Sequence, residues 1–275
     1  MKKMTMFYLV GWMAVVSVWG QSSHQLRYEI MLSKDMIATS HNKEIFIRSI
    51  DISPGKFITL ASPGRFYQLG WGGMSELGQK PDSQISGFCF TFDGLMMAVK
   101  NRSLCYMDSL GKLQTLLILP TSGMGIAPGK EVVYLFDQNR TDSHYRLYAY
   151  AKHGKYKTLL ASPKPVVSVV EMNGLVYMAI GSAVFSFSPQ NNAVNLEAGF
   201  QKENEITSLA VDSDHDILYA ATRDAIFALK NESLVYVTGD FGGGIIKYFQ
   251  DGLVIFNPDT NDIIRIVNLH SSLLF

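Results

Sequence analysis

Side chains able to do chemistry are sparse in this chain, and none of them forms a complete site by spacing alone. The most suggestive run is Asp212-x-Asp214-x-Asp216, because alternating carboxylates can turn into one loop as calcium ligands do. It lacks the glycine at the sixth position and the glutamate at the twelfth, so it reads as an acidic hairpin turn that ends a strand. There is no Gly-x-Ser-x-Gly elbow, and His24, His41, His144, His153, His215 and His270 are scattered. Gly242-Gly243-Gly244 has neither the Lys-Ser/Thr of a phosphate loop nor the spacing of a dinucleotide loop, and reads as a place of close backbone approach. Asn101, Asn139 and Asn231 head N-glycosylation triplets, which carry sugar only in a eukaryotic secretory host. No catalytic residue, metal site or cofactor is predicted.

The elements that would position any site follow from the whole chain. Its 275 residues are 47% hydrophobic and 17% charged, a globular composition. Lys plus Arg equals Asp plus Glu at 24 each, so no net field draws it to nucleic acid. Lys2 and Lys3 precede an apolar run from Met6 to Val18, and Val18-Trp19-Gly20 suits signal peptidase. We expect cleavage after Gly20, export to a periplasm or the exterior, and no membrane-spanning segment in the mature chain.

Past residue 84 one phrase recurs about every 40 residues, the length of a four-stranded propeller blade. Its repeats begin near Ile85, Gly123, Val166, Ile206 and Gly244. The second strand of each is apolar on successive residues, as in Leu175-Val176-Tyr177-Met178-Ala179-Ile180 and Leu253-Val254-Ile255-Phe256, and so is buried on both faces. Third and fourth strands alternate, as in Ala183-Val184-Phe185-Ser186-Phe187-Ser188. A hairpin of fixed length also sets a fixed separation between equivalent side chains. Tyr177 to Phe185, Tyr219 to Phe227 and Met97 to Cys105 are each eight apart, while Ile37 to Phe46 and Ile255 to Ile264 are nine apart.

These features predict an all-β fold, a six-bladed β-propeller of four-stranded antiparallel blades at about 24–63, 85–120, 122–163, 166–200, 205–241 and 242–275. Residues 64–84 read as an insertion. The final blade has little fourth strand, so His24 to Leu32 is the natural donor for closing the ring. Cys89 falls on a first strand and Cys105 on the third strand of the same blade, roughly 9 to 10 Å apart with a strand between them. Two buried free thiols are expected.

The phrases Gly87-Phe-Cys-Phe-Thr-Phe-Asp93-Gly94-Leu-Met-Met-Ala-Val99 and Thr207-Ser-Leu-Ala-Val-Asp212-Ser-Asp214-His-Asp216-Ile-Leu-Tyr-Ala-Ala221 resemble the strand-turn-strand unit of NHL-repeat and SMP-30/gluconolactonase-like propellers. That resemblance implies six blades and, for lactonases, a divalent cation held over the channel by carboxylate and Asn oxygens from several blades. Here the channel-side strand starts carry one acid, Glu205, where hard cations require several converging oxygens.

In a four-stranded meander the hairpin between strands two and three shares an end with the connection to the next blade. The long hairpin Asp137 to His144 and the stretch 64–84 therefore share a face. That face is expected to present Phe66, Tyr67 and Trp71 with Arg102, Arg140, His144 and Arg223, a set suited to a protein, peptide or glycan. The reading is a non-enzymatic exported binder. A metal-dependent lactonase or hydrolase and a structural subunit of an envelope assembly are the alternatives.

Overall fold

The computed structural model describes residues 26–33, 45–70, 73–78, 84–138, 143–151, 154, 156–200, 204–239 and 244–269. The expected leader and Arg140 lie outside them, as do Trp71, Ile37, Gly242, Gly243 and every histidine except His144 and His215.

Six antiparallel four-stranded sheets form a six-bladed β-propeller. The chain opens with β1 (Arg27–Leu32), then lays down blade 1 as β2 (Ser49–Ile52), β3 (Ile58–Ser62), β4 (Arg65–Gly70) and β5 (Gly73–Leu77). Blade 2 holds β6 (Ile85–Phe90), β7 (Met96–Lys100), β8 (Ser103–Met107) and β9 (Leu113–Ile118). Blade 3 holds β10 (Gly125–Pro128), β11 (Val132–Phe136), β12 (Tyr145–Ala151) and β13 (Tyr156–Ser162). Blade 4 holds β14 (Val166–Met172), β15 (Leu175–Ile180), β16 (Ala183–Ser188) and β17 (Ala193–Gly199). Blade 5 holds β18 (Ile206–Asp212), β19 (Ile217–Thr222), β20 (Ile226–Lys230) and β21 (Ser233–Thr238). Blade 6 is β22 (Ile245–Phe249), β23 (Gly252–Asn257) and β24 (Asp262–Val267), completed by β1.

Burial follows the radial order. Every residue of β3 is buried, as are nearly all of β7, β15, β19 and β23, whereas β9, β13, β17, β21 and β1 are largely exposed. A second strand is covered on both faces by its neighbours, so both of its residue parities must be apolar. The core is correspondingly a set of clusters between blades, such as Met97, Val99, Val133, Leu135, Tyr148 and Tyr150 between blades 2 and 3.

Ring closure uses the donor that the sequence indicated. β1 pairs with β24 through Arg27↔Val267, Tyr28↔Ile266, Glu29↔Arg265 and Ile30↔Ile264. The segment 64–84 is corrected, because it carries β4 and β5, the third and fourth strands of blade 1, and is no insertion. Its aromatic, glycine-rich wording hid that role. Phe66 is buried and meets Phe88 of blade 2 edge to face at 5.4 Å, so the ring is blade-to-blade packing. Phe46, read as a third-strand residue, precedes β2 and is exposed; the true hairpin pairs Leu60 with Tyr67.

Cys89 and Cys105 are buried free thiols on β6 and β8, and burial pushes the Cys89 thiol pKa well up. Outer strands β9, β13, β17 and β21 each carry a bulge opposite the third strand.

Blades 3 to 5 place a tyrosine at one equivalent position of the second strand, Tyr134, Tyr177 and Tyr219. Tyr134 donates its hydroxyl to Glu171 of blade 4 at 2.9 Å, and Tyr219 stacks on Tyr248 of blade 6 at 6.4 Å. Burial first, and then neighbouring carboxylates, raise the pKa of Tyr134, Tyr219 and Tyr248 above the ordinary phenol value of 10.0. The neutral phenols are favoured by the fold, so their contribution is complete below about pH 10 and is lost as pH rises through the folded pKa values. The urea midpoint should fall from about pH 10 upward, and Tyr134→Phe should flatten that decline. A midpoint independent of pH over that range would contradict the assignment.

Candidate functional site

First strands line the central channel, and their bulges aim its polar side chains. In β6, β14 and β18 the pairing skips Ser86, Val167 and Thr207, the second residue of each strand. The hydroxyls so re-aimed reach adjoining blades: Ser86 Oγ donates to Met124 O at 3.2 Å and Thr207 Oγ1 to Gly244 O at 2.8 Å. Ser168 Oγ accepts the Leu209 N–H at 3.0 Å, and Ser208 Oγ accepts the Ile246 N–H at 3.2 Å. Gly244 has φ of 140°, and a Cβ there would lie 2.3 Å from Phe256 O, so glycine is required for this approach. Most of the channel's hydroxyl groups thus serve to join one blade to the next.

An ion pair between a half-buried lysine and a buried aspartate adds to these contacts. Lys247 Nζ of β22 lies 3.1 Å from Asp51 Oδ1 of β2, and Asp51 Oδ2 accepts the Phe90 N–H at 2.8 Å. Three blades meet on that carboxylate.

The channel encloses a cavity of about 510 Å³. Among the described residues its lining holds one carboxylate, Glu205, with Arg48, Gln138 and Lys247 as its other long polar side chains. Arg48, Gln138 and Glu205 are exposed at the end where the first strands begin, and their side chains make no hydrogen bond or ion pair among the described residues. A neighbouring cavity of about 520 Å³ between blades 5 and 6 shares Glu205, Thr207 and Ile245 with the channel and adds Arg223, Asp224 and Asp259. The two form one recessed region.

This is the end on which the sequence placed its candidate face. Asn101 N–H, in the hairpin between β7 and β8, donates to Gln84 O at 3.2 Å, which ties that hairpin to the connection entering the blade. At the base of the long hairpin Asp137 is wholly buried, accepting Thr121 Oγ1–H at 2.8 Å and the Arg146 N–H at 3.0 Å. Arg102, His144 and Arg223 lie on second-to-third hairpins, hence on this end. Their availability differs: Arg102 donates to Leu119 O and Pro120 O, His144 Nδ1 faces Ser143 Oγ at 2.8 Å, and Arg223 pairs with Asp259 at 3.1 Å.

Tyr67, like Phe66, does not reach the expected face. Tyr67 sits in β4 and is buried among Ile58, Leu60 and Leu69, because the strand needs both of its faces covered. Trp71 lies outside the described residues. Sequence reasoning missed Arg48, Gln138 and Lys247. Arg48 adjoins β2, which had been assigned to the wrong place in its blade. The Asp212 run also resolves: Asp212 accepts the backbone N–H groups of Asp214 and His215, and Asp216 accepts Asn173 Nδ2–H at 2.9 Å. Those contacts are those of a capped turn.

Fold and channel together define a six-bladed β-propeller of four-stranded antiparallel blades. No protein-family model matches the sequence, and no curated protein sequence matches it. The fold is similar to that of a gluconolactonase from Xanthomonas campestris, at TM-score 0.69 and 9% identity over 89% of this chain and 90% of that one. It is also similar to a catalytically inactive virginiamycin B lyase from Staphylococcus aureus solved with quinupristin, at 0.64 and 12% over 82% of each chain. A third likeness, at 0.60 and 14%, is to the extracellular domain of a protein assigned as a hybrid two-component system of B. thetaiotaomicron, covering 88% of this chain and 39% of that one. Identities this low establish the fold alone.

Proposed function

We propose that the protein is an exported, non-catalytic binding propeller that takes a peptide, protein or glycan at the recessed channel mouth and its surrounding hairpins. One observation carries this reading. Most channel hydroxyls are spent on joining blades, while the side chains of Arg48, Gln138 and Glu205 make no hydrogen bond or ion pair among the described residues around a preformed cavity. A guanidinium, an amide and a carboxylate on a rigid rim offer donors and acceptors of both signs, which suits a ligand with polar groups of both kinds.

Peptide and glycan arrays, followed by titration calorimetry of the hits, test this reading. Arg48→Ala and Glu205→Gln should each weaken binding about tenfold or more, the scale of one lost charge-assisted hydrogen bond. Arg102→Ala should matter less, because that guanidinium is already engaged by Leu119 O and Pro120 O. Ligands whose affinity ignores Arg48 and Glu205 would remove the assignment of the mouth.

Hydrolysis or elimination on a ligand held over the channel is the second reading, favoured by the presence of a gluconolactonase and a lyase among the structural neighbours. Turnover of a lactone panel in the presence of divalent cations, abolished by Glu205→Gln, would select it.

A further inference from the structure

A further cavity lies away from the channel mouth. It is a cleft of about 740 Å³ between blades 2 and 3, at the end formed by first-to-second turns. Its floor is apolar, built from Leu95, Met97, Val133 and Tyr150 of the cluster that joins the two blades.

Both lips are held before any ligand arrives. On blade 2, Thr91 Oγ1 donates to Asp93 Oδ1 at 2.7 Å and accepts the Leu95 N–H at 3.0 Å, while Gly94 N–H donates to Thr91 O. That turn presents Phe92 at 80% exposure. On blade 3, the Lys130 N–H donates to Glu171 Oε2 of blade 4 at 3.1 Å, and Tyr134 bonds to the same oxygen. A bulky aromatic displayed on a rigid turn beside an apolar cleft is surface shaped for an anchor, since little ordering cost remains.

The third wall is β9, the edge strand of blade 2, which pairs only with β8. Leu116 is the residue skipped between Leu104↔Leu117 and Cys105↔Thr115, and it lines the cleft. The outward N–H and C=O groups of an edge strand are a template for an added strand, whose alternate side chains would enter the cleft. The lips carry two carboxylates, Asp93 and Glu131, against one ammonium, Lys130. Their balance favours a cationic occupant.

The geometry points to a second docking site here, one that takes an extended peptide segment of another protein, with bulky apolar side chains and a neighbouring Lys or Arg, laid along β9. This site is independent of the channel mouth and shares no residue with it.

Selection from a random-peptide display library against the full chain tests the proposal. Recovered sequences should combine apolar and basic residues, and their enrichment should fall about tenfold against Phe92→Ser and against Leu116→Ser, the loss of one anchor contact. Asp93→Asn with Glu131→Gln should remove the preference for basic over acidic peptides. Arg48→Ala should leave the selection unchanged, which separates this site from the channel mouth. Phe92→Ser should also keep the parent thermal midpoint, because the side chain touches little. Three results would overturn the proposal: recovered peptides indifferent to Phe92 and Leu116, no recovered peptides at all, or self-association of the chain that Phe92→Ser abolishes, which would make the occupant a second copy.

Discussion

A chain lacking Arg27–Leu32 should fail to reach the native state, losing the whole of a domain's usual stability of about 5–15 kcal/mol. The reason is topological. Blade 6 has three strands of its own, β22, β23 and β24, and its fourth position is filled only by β1. Removing β1 strips the pairing of Arg27 through Ile30 from β24 and breaks the Tyr28 hydroxyl contact with Thr238 Oγ1 of blade 5, 2.9 Å long. It also uncovers the cluster around Leu253, Ile255 and Ile266, against which Leu26 and Tyr28 pack. An unpaired β24 beside that surface is an aggregation template. Far-ultraviolet circular dichroism and size-exclusion chromatography should find a misfolded or associated product. The contrast within the strand is sharp: Ile30 is 68% exposed, so Ile30→Ala should shift stability by no more than about 0.5 kcal/mol. A shortened chain with the parent's urea midpoint would mean that the ring closes in another way.

Asp51→Ala should cost about 3 kcal/mol, since breaking a buried pair leaves the surviving charge uncompensated. Asp51 is buried, and its two oxygens serve Lys247 of blade 6 and the Phe90 N–H of blade 2. Deleting the carboxylate leaves a half-buried ammonium and a backbone amide without their acceptor at once. Asp51→Asn should recover part of the loss, because its carbonyl oxygen can still accept from Phe90. The double variant Asp51→Ala with Lys247→Met should be more stable than Asp51→Ala alone, because the unpaired charge goes with the lysine. Urea unfolding of the parent, Asp51→Ala, Lys247→Met and the double variant measures this cycle. Additive losses, with no recovery in the double variant, would show that the pair is too well solvated to matter.

Both predictions concern contacts between residues far apart in sequence, and this is where legibility divides. Blades 2 to 5 could be read directly because each second strand announces itself by unbroken apolarity, as in Val132 to Phe136 or Ile217 to Ala221, and a strand covered on both faces has no other option. Closure by the N-terminal strand was readable from the missing fourth strand of blade 6. Blade 1 was misread because Arg65 to Leu77 contains polar and glycine residues that resemble a loop, and its pairing partners, not its own wording, make it β4 and β5. Tyr67 shows the consequence: an aromatic judged free for a ligand is buried among Ile58, Leu60 and Leu69.

By itself the sequence determined the blade count, the radial gradient of burial, the closing strand and the two buried thiols. These depend on local periodicity, which adjacent residues carry. Only the tertiary structure decided what the polar groups do, because a hydroxyl on a first strand is a binding group or a blade-to-blade bond according to which backbone lies opposite. Ser86 and Thr207 became the latter, the Arg48 and Glu205 side chains make no such bond among the described residues, and the bulges that re-aim Ser86 and Thr207 come from cross-strand register.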